Sequence, residues 1–199
     1  MKGYYYEISN QKEDQRLWMS VVEGNINALG LIFDRYVQEL HSYGYRLSNN
    51  SALTQDAIQD VFIQIWHYHE NLAKDVQVKF YLYKCLRRTL LNTLTKENIY
   101  TGIFDEEMLE DNDDSFEDLW IQTEEQHKQD KQLADSLDML SLREKEIISL
   151  KYFSGMKIKD IALLLNLKEQ TIANTLQNAL TKLRSKLVYC ITLFFLFFN

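Results

Sequence analysis

The sequence predicts an all-α protein of two small helical bodies joined by an acidic linker, and three observations lead there. Proline is absent and glycine occurs six times in 199 residues, which suits helices and argues against a sandwich of many strands with turn-rich connections. Apolar residues recur at helical spacing in stretches on both sides of one polar interval. Charge is segregated within the net value of -7: residues 1–96 sum to +1, 97–130 to -12 and 131–199 to +4. A chain of this length holds one good core or two small ones, since domains typically take about 100–150 residues. The boundaries that follow are a helical body at 1–96, an acidic linker with a short helix near its end at 97–130, a second body at 131–186 and an apolar tail at 187–199.

In the first body, Gly24-Asn25 opens a helix whose stripe is Ala28, Leu29, Ile32, Phe33 and Tyr36. Thr54, ahead of Gln55 and Asp56, reads as the N-cap of a second helix with Ile58, Val61, Phe62, Ile65 and Trp66 along one side. The chain leaves that helix at His67 for a loop and re-enters a third helix marked by Leu82, Cys85, Leu86 and Leu90. Each stripe needs a partner to bury against. From Glu97 to Asp114 apolar periodicity is lost and acids gather, which describes a solvated, self-repelling linker. Helical signals return with Ser115 and Asp118 in capping-box spacing, followed by Phe116, Leu119 and Trp120 and then by Leu133, Leu137 and Leu140.

Ser141-Leu142-Arg143-Glu144 starts the next helix in the same capping pattern, with Ile147, Ile148, Leu150 and Phe153 on its inner side and Gly155 at its end. Ile158, Ile161, Ala162 and Leu165 then repeat at helical spacing, the chain turns at Asn166-Leu167, and Ile172, Leu176, Ala179, Leu180 and Leu183 line a second face. This is the pattern of a helix-turn-helix. Ala162 falls where only a small side chain fits between crossing helices, and asparagine tolerates the left-handed turn. The outer face carries Gln170, Asn174 and Gln177, amides able to meet adenine edges in the major groove. The tail LVYCITLFFLFFN has about a dozen mostly apolar residues, fewer than the roughly 20 needed to span a bilayer, and reads as an extension of the last helix that packs on protein.

Catalytic and metal-binding chemistry finds little support. His67 and His69 are two residues apart and diverge on a helix; Asp111-Asn112-Asp113-Asp114 lacks the glycine and distal glutamate of a calcium loop; no glycine-rich phosphate cradle occurs. No enzyme activity, metal, cofactor or small-molecule substrate is expected. Cys85 and Cys190 are isolated and no secretory signal precedes them, so a reducing cytoplasm is the expected compartment. The segment from Lys79 to Lys96 interleaves Phe80, Tyr81 and Tyr83 with Lys79, Lys84, Arg87 and Arg88, a mixture suited both to single-stranded nucleic acid and to a packed helix with a basic edge.

The order of these parts resembles the bacterial sigma-70 factors of the small, two-domain extracytoplasmic-function type. EGNINALGLIFDRY at 23–36 is similar to the family's opening helix, DAIQDVFIQIW at 56–66 to its polymerase-binding helix, and FYLYKCLRRTLLNTL at 80–94 to its -10 helix. The stretch 140–184 resembles its -35-binding domain. The resemblance implies a transcription initiation factor whose partners are core RNA polymerase, through its β and β′ subunits, and promoter DNA; an anti-sigma factor is a further candidate partner. It implies core-polymerase contacts by Asp56, Gln59, Asp60 and Trp66, and -10 contacts by Lys79, Tyr81, Tyr83, Lys84, Arg87, Arg88 and Asn92. The -35 contacts it implies are Lys168, Glu169, Gln170, Thr171, Ala173, Asn174, Gln177 and Asn178, and the loop from His67 to Lys79 matches the element that captures a flipped base. Arg88 stands where many relatives have asparagine, and Ala173, Thr175 and Asn178 stand where relatives often carry arginine, leaving the amides more of the reading. Two other readings compete: a stand-alone helix-turn-helix regulator of operators, which should be more basic, and a helical membrane-associated interaction protein using the apolar tail.

Overall fold

The computed structural model of the chain describes residues 2–96 and 140–197, with side chains at 11–96 and 140–185. The expected cap at Ser115, the apolar Phe116, Leu119 and Trp120 and the helix through Leu133 and Leu137 lie outside those residues. Among the described residues every regular element is helical, and the chain divides into two compact units, Met1–Leu109 and Glu110–Asn199.

The first unit is a bundle of α1 (Lys2–Val22), α2 (Ile26–Ser48), α3 (Ser51–His67) and α4 (Val78–Lys96), with a 3-10 turn at His69–Asn71 between the last two. Asn25 starts α2 as expected, its side-chain oxygen accepting from the backbone N–H groups of Asn27 and Ala28. The N-cap of α3 is Asn50 rather than Thr54: Asn50 Oδ1 accepts from Leu53 N–H at 3.0 Å. Thr54 lies inside the helix and fully buried, its hydroxyl donating back to the Asn50 carbonyl at 2.8 Å. A threonine that returns its hydroxyl to the carbonyl four residues earlier satisfies itself within the helix, so its polarity did not signal an end. Ile32, Leu40, Val61, Ile65, Leu82, Leu86 and Leu90 form the core with Trp18 of α1.

α2 meets α3 and α4 closely at Gly44. A Cβ there would lie 2.6 Å from Thr54 Cγ2 and 3.2 Å from Leu90 Cδ1. Thr54 cannot turn away, because its hydroxyl is held by both Asn50 and Ser48. Gly44→Ala gains about 0.5–1 kcal/mol in helix propensity but overpacks a site where strain costs about 1–3 kcal/mol. The expected result is a net loss of stability on the order of 1–2 kcal/mol, read as a lower midpoint in urea with an unchanged slope.

The second unit contains α5 (Leu142–Ile148), one turn of π-helix at Ser149–Phe153, α6 (Ile158–Leu165) and α7 (Glu169–Phe197). The Ser141–Glu144 capping box forms in both directions. Phe153, expected on the inner side, is 56% exposed. The wider π turn shifts the side-chain phase: Leu150 is buried as expected, and Ser149, Ser154 and Met156 join it in the interior in place of Phe153. Gly155 then reverses the chain at φ +66°. Between α6 and α7, Asn166 adopts the left-handed conformation at φ 55°, and its N–H and that of Leu167 both return to the Ala162 carbonyl. Ala162, Ile161, Leu165, Ile172, Leu176 and Ala179 close the small core predicted for the helix-turn-helix. The α7 backbone continues as helix to Phe197, through most of the apolar tail.

Candidate partner and nucleic-acid interfaces

Three exposed faces emerge, two on the first unit and one on the second. On α3, Asp56, Gln59 and Asp60 are exposed on the side opposite Ile58, Val61, Phe62 and Ile65. Between them sits Ile63, 64% exposed, at the centre of the polar face by helical phase. Sequence reasoning passed over Ile63; its signal was an isoleucine out of step with the buried stripe. Trp66 lies at the margin of this face, half-buried, with its ring stacked on His69 at 4.7 Å and 11°.

On α4, Lys84, Arg88 and Asn92 follow at intervals of four and all are exposed, with Arg87 half-buried beside them. Two expected members of this face are committed elsewhere. Tyr83 is completely buried with its ring 5.0 Å from that of Tyr43, so it serves the core and not a base. Lys79 forms an ion pair with Glu39 of α2 at 2.8 Å and lies 6.0 Å from the Tyr83 ring, joining α4 to α2. Tyr81 is half-buried against Trp18, ring centroids 5.1 Å apart in an edge-on arrangement. Burial, reinforced by Cys85, pushes the Tyr81 phenol up to about 12.

The loop between α3 and α4 adds exposed Tyr68, with His67 edge-on to its ring at 4.6 Å, and exposed Lys74 and Asp75. Aromatic edges and a cation here adjoin the α4 stripe in sequence.

On the second unit, α7 begins at the turn and exposes Lys168, Glu169, Gln170, Thr171, Asn174, Gln177 and Asn178 to solvent, while Ala173 is half-buried. Gln170 Nε2 donates to Asn174 Oδ1 at 2.9 Å, so the two amides are linked across one helical turn. Lys182, on the same helix, is turned toward α5: its ammonium donates to Glu144 Oε2 at 2.9 Å. That oxygen also accepts from the Ser141 N–H and hydroxyl. Burial pushes the Glu144 carboxyl up, but the Lys182 ammonium and the Ser141 donors outweigh it and hold the carboxyl below its ordinary value. A lowered carboxyl contributes stability that is present above the ordinary value of 4.5 and lost as pH falls through the lowered one. Below pH 4.5 the α7 amides should therefore lose protection relative to their intrinsic exchange rates in the wild type, and Glu144→Gln should flatten that acid dependence while being less protected at pH 7.

Comparison with known proteins places these faces in context. A family model described as Sigma-70 region 2 matches residues 32–99, and one described as Sigma-70, region 4 matches 130–183. The RNA polymerase sigma factor SigV of Bacillus subtilis (strain 168) is 26% identical over 150 residues, 75% of this chain and 85% of SigV. The ECF RNA polymerase sigma factor SigX of the same organism is 22% identical over 158 residues, 77% of this chain and 80% of SigX. Among solved structures, CnrH in complex with the cytosolic domain of CnrY superposes with a TM-score of 0.62 at 18% identity, over 89% of this chain and 98% of that one. The sigma factor RpoE in complex with the anti-sigma factor NepR from Bartonella quintana gives 0.56 at 20% identity, over 79% and 95%. At these identities the solved structures speak to the fold alone.

Proposed function

Because this chain belongs to the sigma-70 family, as an extracytoplasmic-function sigma factor that binds core RNA polymerase and directs it to promoters, we propose how its surfaces divide that work. The α3 face of Asp56, Gln59, Asp60 and Ile63, with Trp66 at its margin, docks on core polymerase. An exposed apolar side chain beside two acids and an amide suits a protein interface, where an apolar contact is bordered by polar groups. The α4 stripe of Lys84, Arg88 and Asn92, with Arg87, Tyr81 and the loop 67–79, takes the -10 element. Cations follow the backbone there, and the aromatic and polar edges of the loop receive a base taken out of the stack. In the second unit the N-terminal turns of α7, from Lys168 to Asn178, read the -35 element through the major groove. Residues 1–96, 97–130 and 131–186 act as the core-and-melting body, the connector and the -35 body.

The observation that carries this reading is the exposed Ile63 inside an acidic face in the same chain as an amide-bearing recognition helix. A regulator that works alone needs no such docking face. It also needs more phosphate contacts than this chain offers, whereas tethering by polymerase makes the -35 contact effectively intramolecular and tolerates few cations. The work proposed is binding and strand capture without covalent catalysis. It is done in the cytoplasm, where polymerase is found; among the described residues no helix is long and apolar enough to cross a membrane. An anti-sigma factor, of the kind seen with RpoE, is a further proposed partner.

The purified chain should co-elute with core polymerase and confer start-site-specific transcription on a subset of promoters. A chain that binds DNA but never core polymerase would overturn the reading.

A further inference from the structure

The first helix, α1, ends ten residues before the segment matched as region 2 begins at 32. We propose that α1 is a positioning element for the -10 loop, with Gln15 and Trp18 as the residues that set the loop's shape; the inference rests on the loop's proposed role in strand capture. The indole Nε1 of Trp18 donates to the Ala73 carbonyl at 2.9 Å, and Gln15 Nε2 donates to the next carbonyl, that of Lys74, at 2.6 Å. Residues 15 and 18 are three apart and share a helix face, so one rigid element grips two successive peptide groups of an otherwise irregular stretch. Fixing both carbonyls fixes the directions in which the exposed Lys74 and Asp75 leave the chain.

The grip is itself well founded. One turn earlier, Asp14 is 5% exposed and accepts from Arg35 Nη1 and from the Tyr36 hydroxyl, each at 2.5 Å, while Arg35 also meets Glu13 at 2.8 Å. These bonds tie α1 to α2. Trp18 is completely buried and meets Tyr81 in the first turn of α4 edge-on, so the indole touches both the loop and the helix that follows it. At the C-terminal end of α1, Gly24 lies close enough to the His69 ring that a Cβ would stand 3.5 Å from its Nε2. α1 thus meets the loop both at the 3-10 turn and at the Ala73 and Lys74 carbonyls. Ordering a backbone residue costs about 1–2 kcal/mol, and a loop ordered before DNA arrives does not charge that cost against strand capture.

The test compares holoenzymes carrying wild type, Gln15→Leu, Trp18→Phe or the pair. The probe is a fluorescent single-stranded oligonucleotide with the non-template -10 sequence of a promoter defined by mapped transcript ends. Gln15→Leu removes the amide at nearly constant volume, and Trp18→Phe removes the indole N–H together with part of a fully buried ring. Expected are unchanged affinity for core polymerase, faster amide exchange confined to about residues 72–77, and roughly tenfold weaker oligonucleotide binding for the pair. Gln15 is half-buried and its replacement decides the matter if Trp18→Phe lowers the melting temperature of the whole unit. Faster exchange with undiminished oligonucleotide binding, or no change in either, overturns the proposal. A parallel Lys84→Ala, Arg88→Ala, Asn92→Ala variant tests the underlying assignment: if it loses the oligonucleotide while the α1 variants keep it, only the positioning role falls, and if it too keeps the oligonucleotide the -10 assignment falls.

Discussion

Ile63→Lys should abolish co-elution with core RNA polymerase while leaving the melting temperature of the chain unchanged. Ile63 is 64% exposed in the free protein, so its replacement empties no cavity and breaks no internal contact of consequence. At an interface the same side chain would be covered, and full burial of an isoleucine is favourable by about 1.5–3 kcal/mol. Lysine forfeits that gain and brings a charge that must be desolvated or diverted, so the combined effect is on the order of 3 kcal/mol or more, roughly a hundredfold in affinity. Fluorescence titration of labelled chain with core polymerase measures it. Asp56→Ala and Asp60→Ala, at the rim of the same face, should act more on the salt dependence and the association rate. Full-strength binding by Ile63→Lys would move the docking face off α3.

The core stripes were legible in the sequence because burial imposes a period that side chains cannot hide. Ile32, Ile58, Leu82, Leu86, Ile161, Ala162 and Ile172 were predicted inside and are inside. The turn at Asn166 was equally legible, since few residues other than glycine accept a left-handed conformation at low cost. What periodicity could not show was α1, whose many polar residues obscure a stripe that matters chiefly through Asp14 and Trp18. Nor could it divide the aromatics of α4: Tyr81 and Tyr83 are two residues apart in a polar-aromatic run, and only the packing of Tyr43 assigns Tyr83 to the core. Lys79 and Lys182 show the same limit for charge. Lys79, expected at the -10 DNA, is paired with Glu39 of α2, and Lys182 of the recognition helix is paired with Glu144 of α5.

With Lys182 turned toward Glu144, the α7 face is left with Lys168 as the cation among its first exposed positions and with amides as its main vocabulary. In the proposed -35 role, affinity for the duplex would then come largely from polymerase tethering, with the helix contributing discrimination. A Glu144–Lys182 link from the capped start of α5 to the middle of α7 suits that task, because base reading depends on a fixed helix axis more than on a fixed charge.

Gln170→Ala and Asn174→Ala should each weaken transcription through the -35 element, and together they should cost less than the sum. Gln170 Nε2 donates to Asn174 Oδ1, which leaves Gln170 Oε1 as an outward acceptor and Asn174 Nδ2 as an outward donor. One turn of helix thereby presents an acceptor beside a donor, the complement of the N6 donor and N7 acceptor on adenine's major-groove edge. A good two-point contact is worth about 1–3 kcal/mol of discrimination against the wrong base, so either single replacement should lower use of a -35-dependent promoter by roughly 5- to 150-fold. Either replacement also frees the remaining amide to rotate, so the first removes most of what the second could remove. Core binding should be untouched, since both residues are exposed and lie on α7. Replacing a -35 adenine with 7-deazaadenine deletes the acceptor that Asn174 would meet. It should depress the wild type and leave Asn174→Ala indifferent, whereas equal sensitivity of both would show that Asn174 reads something else.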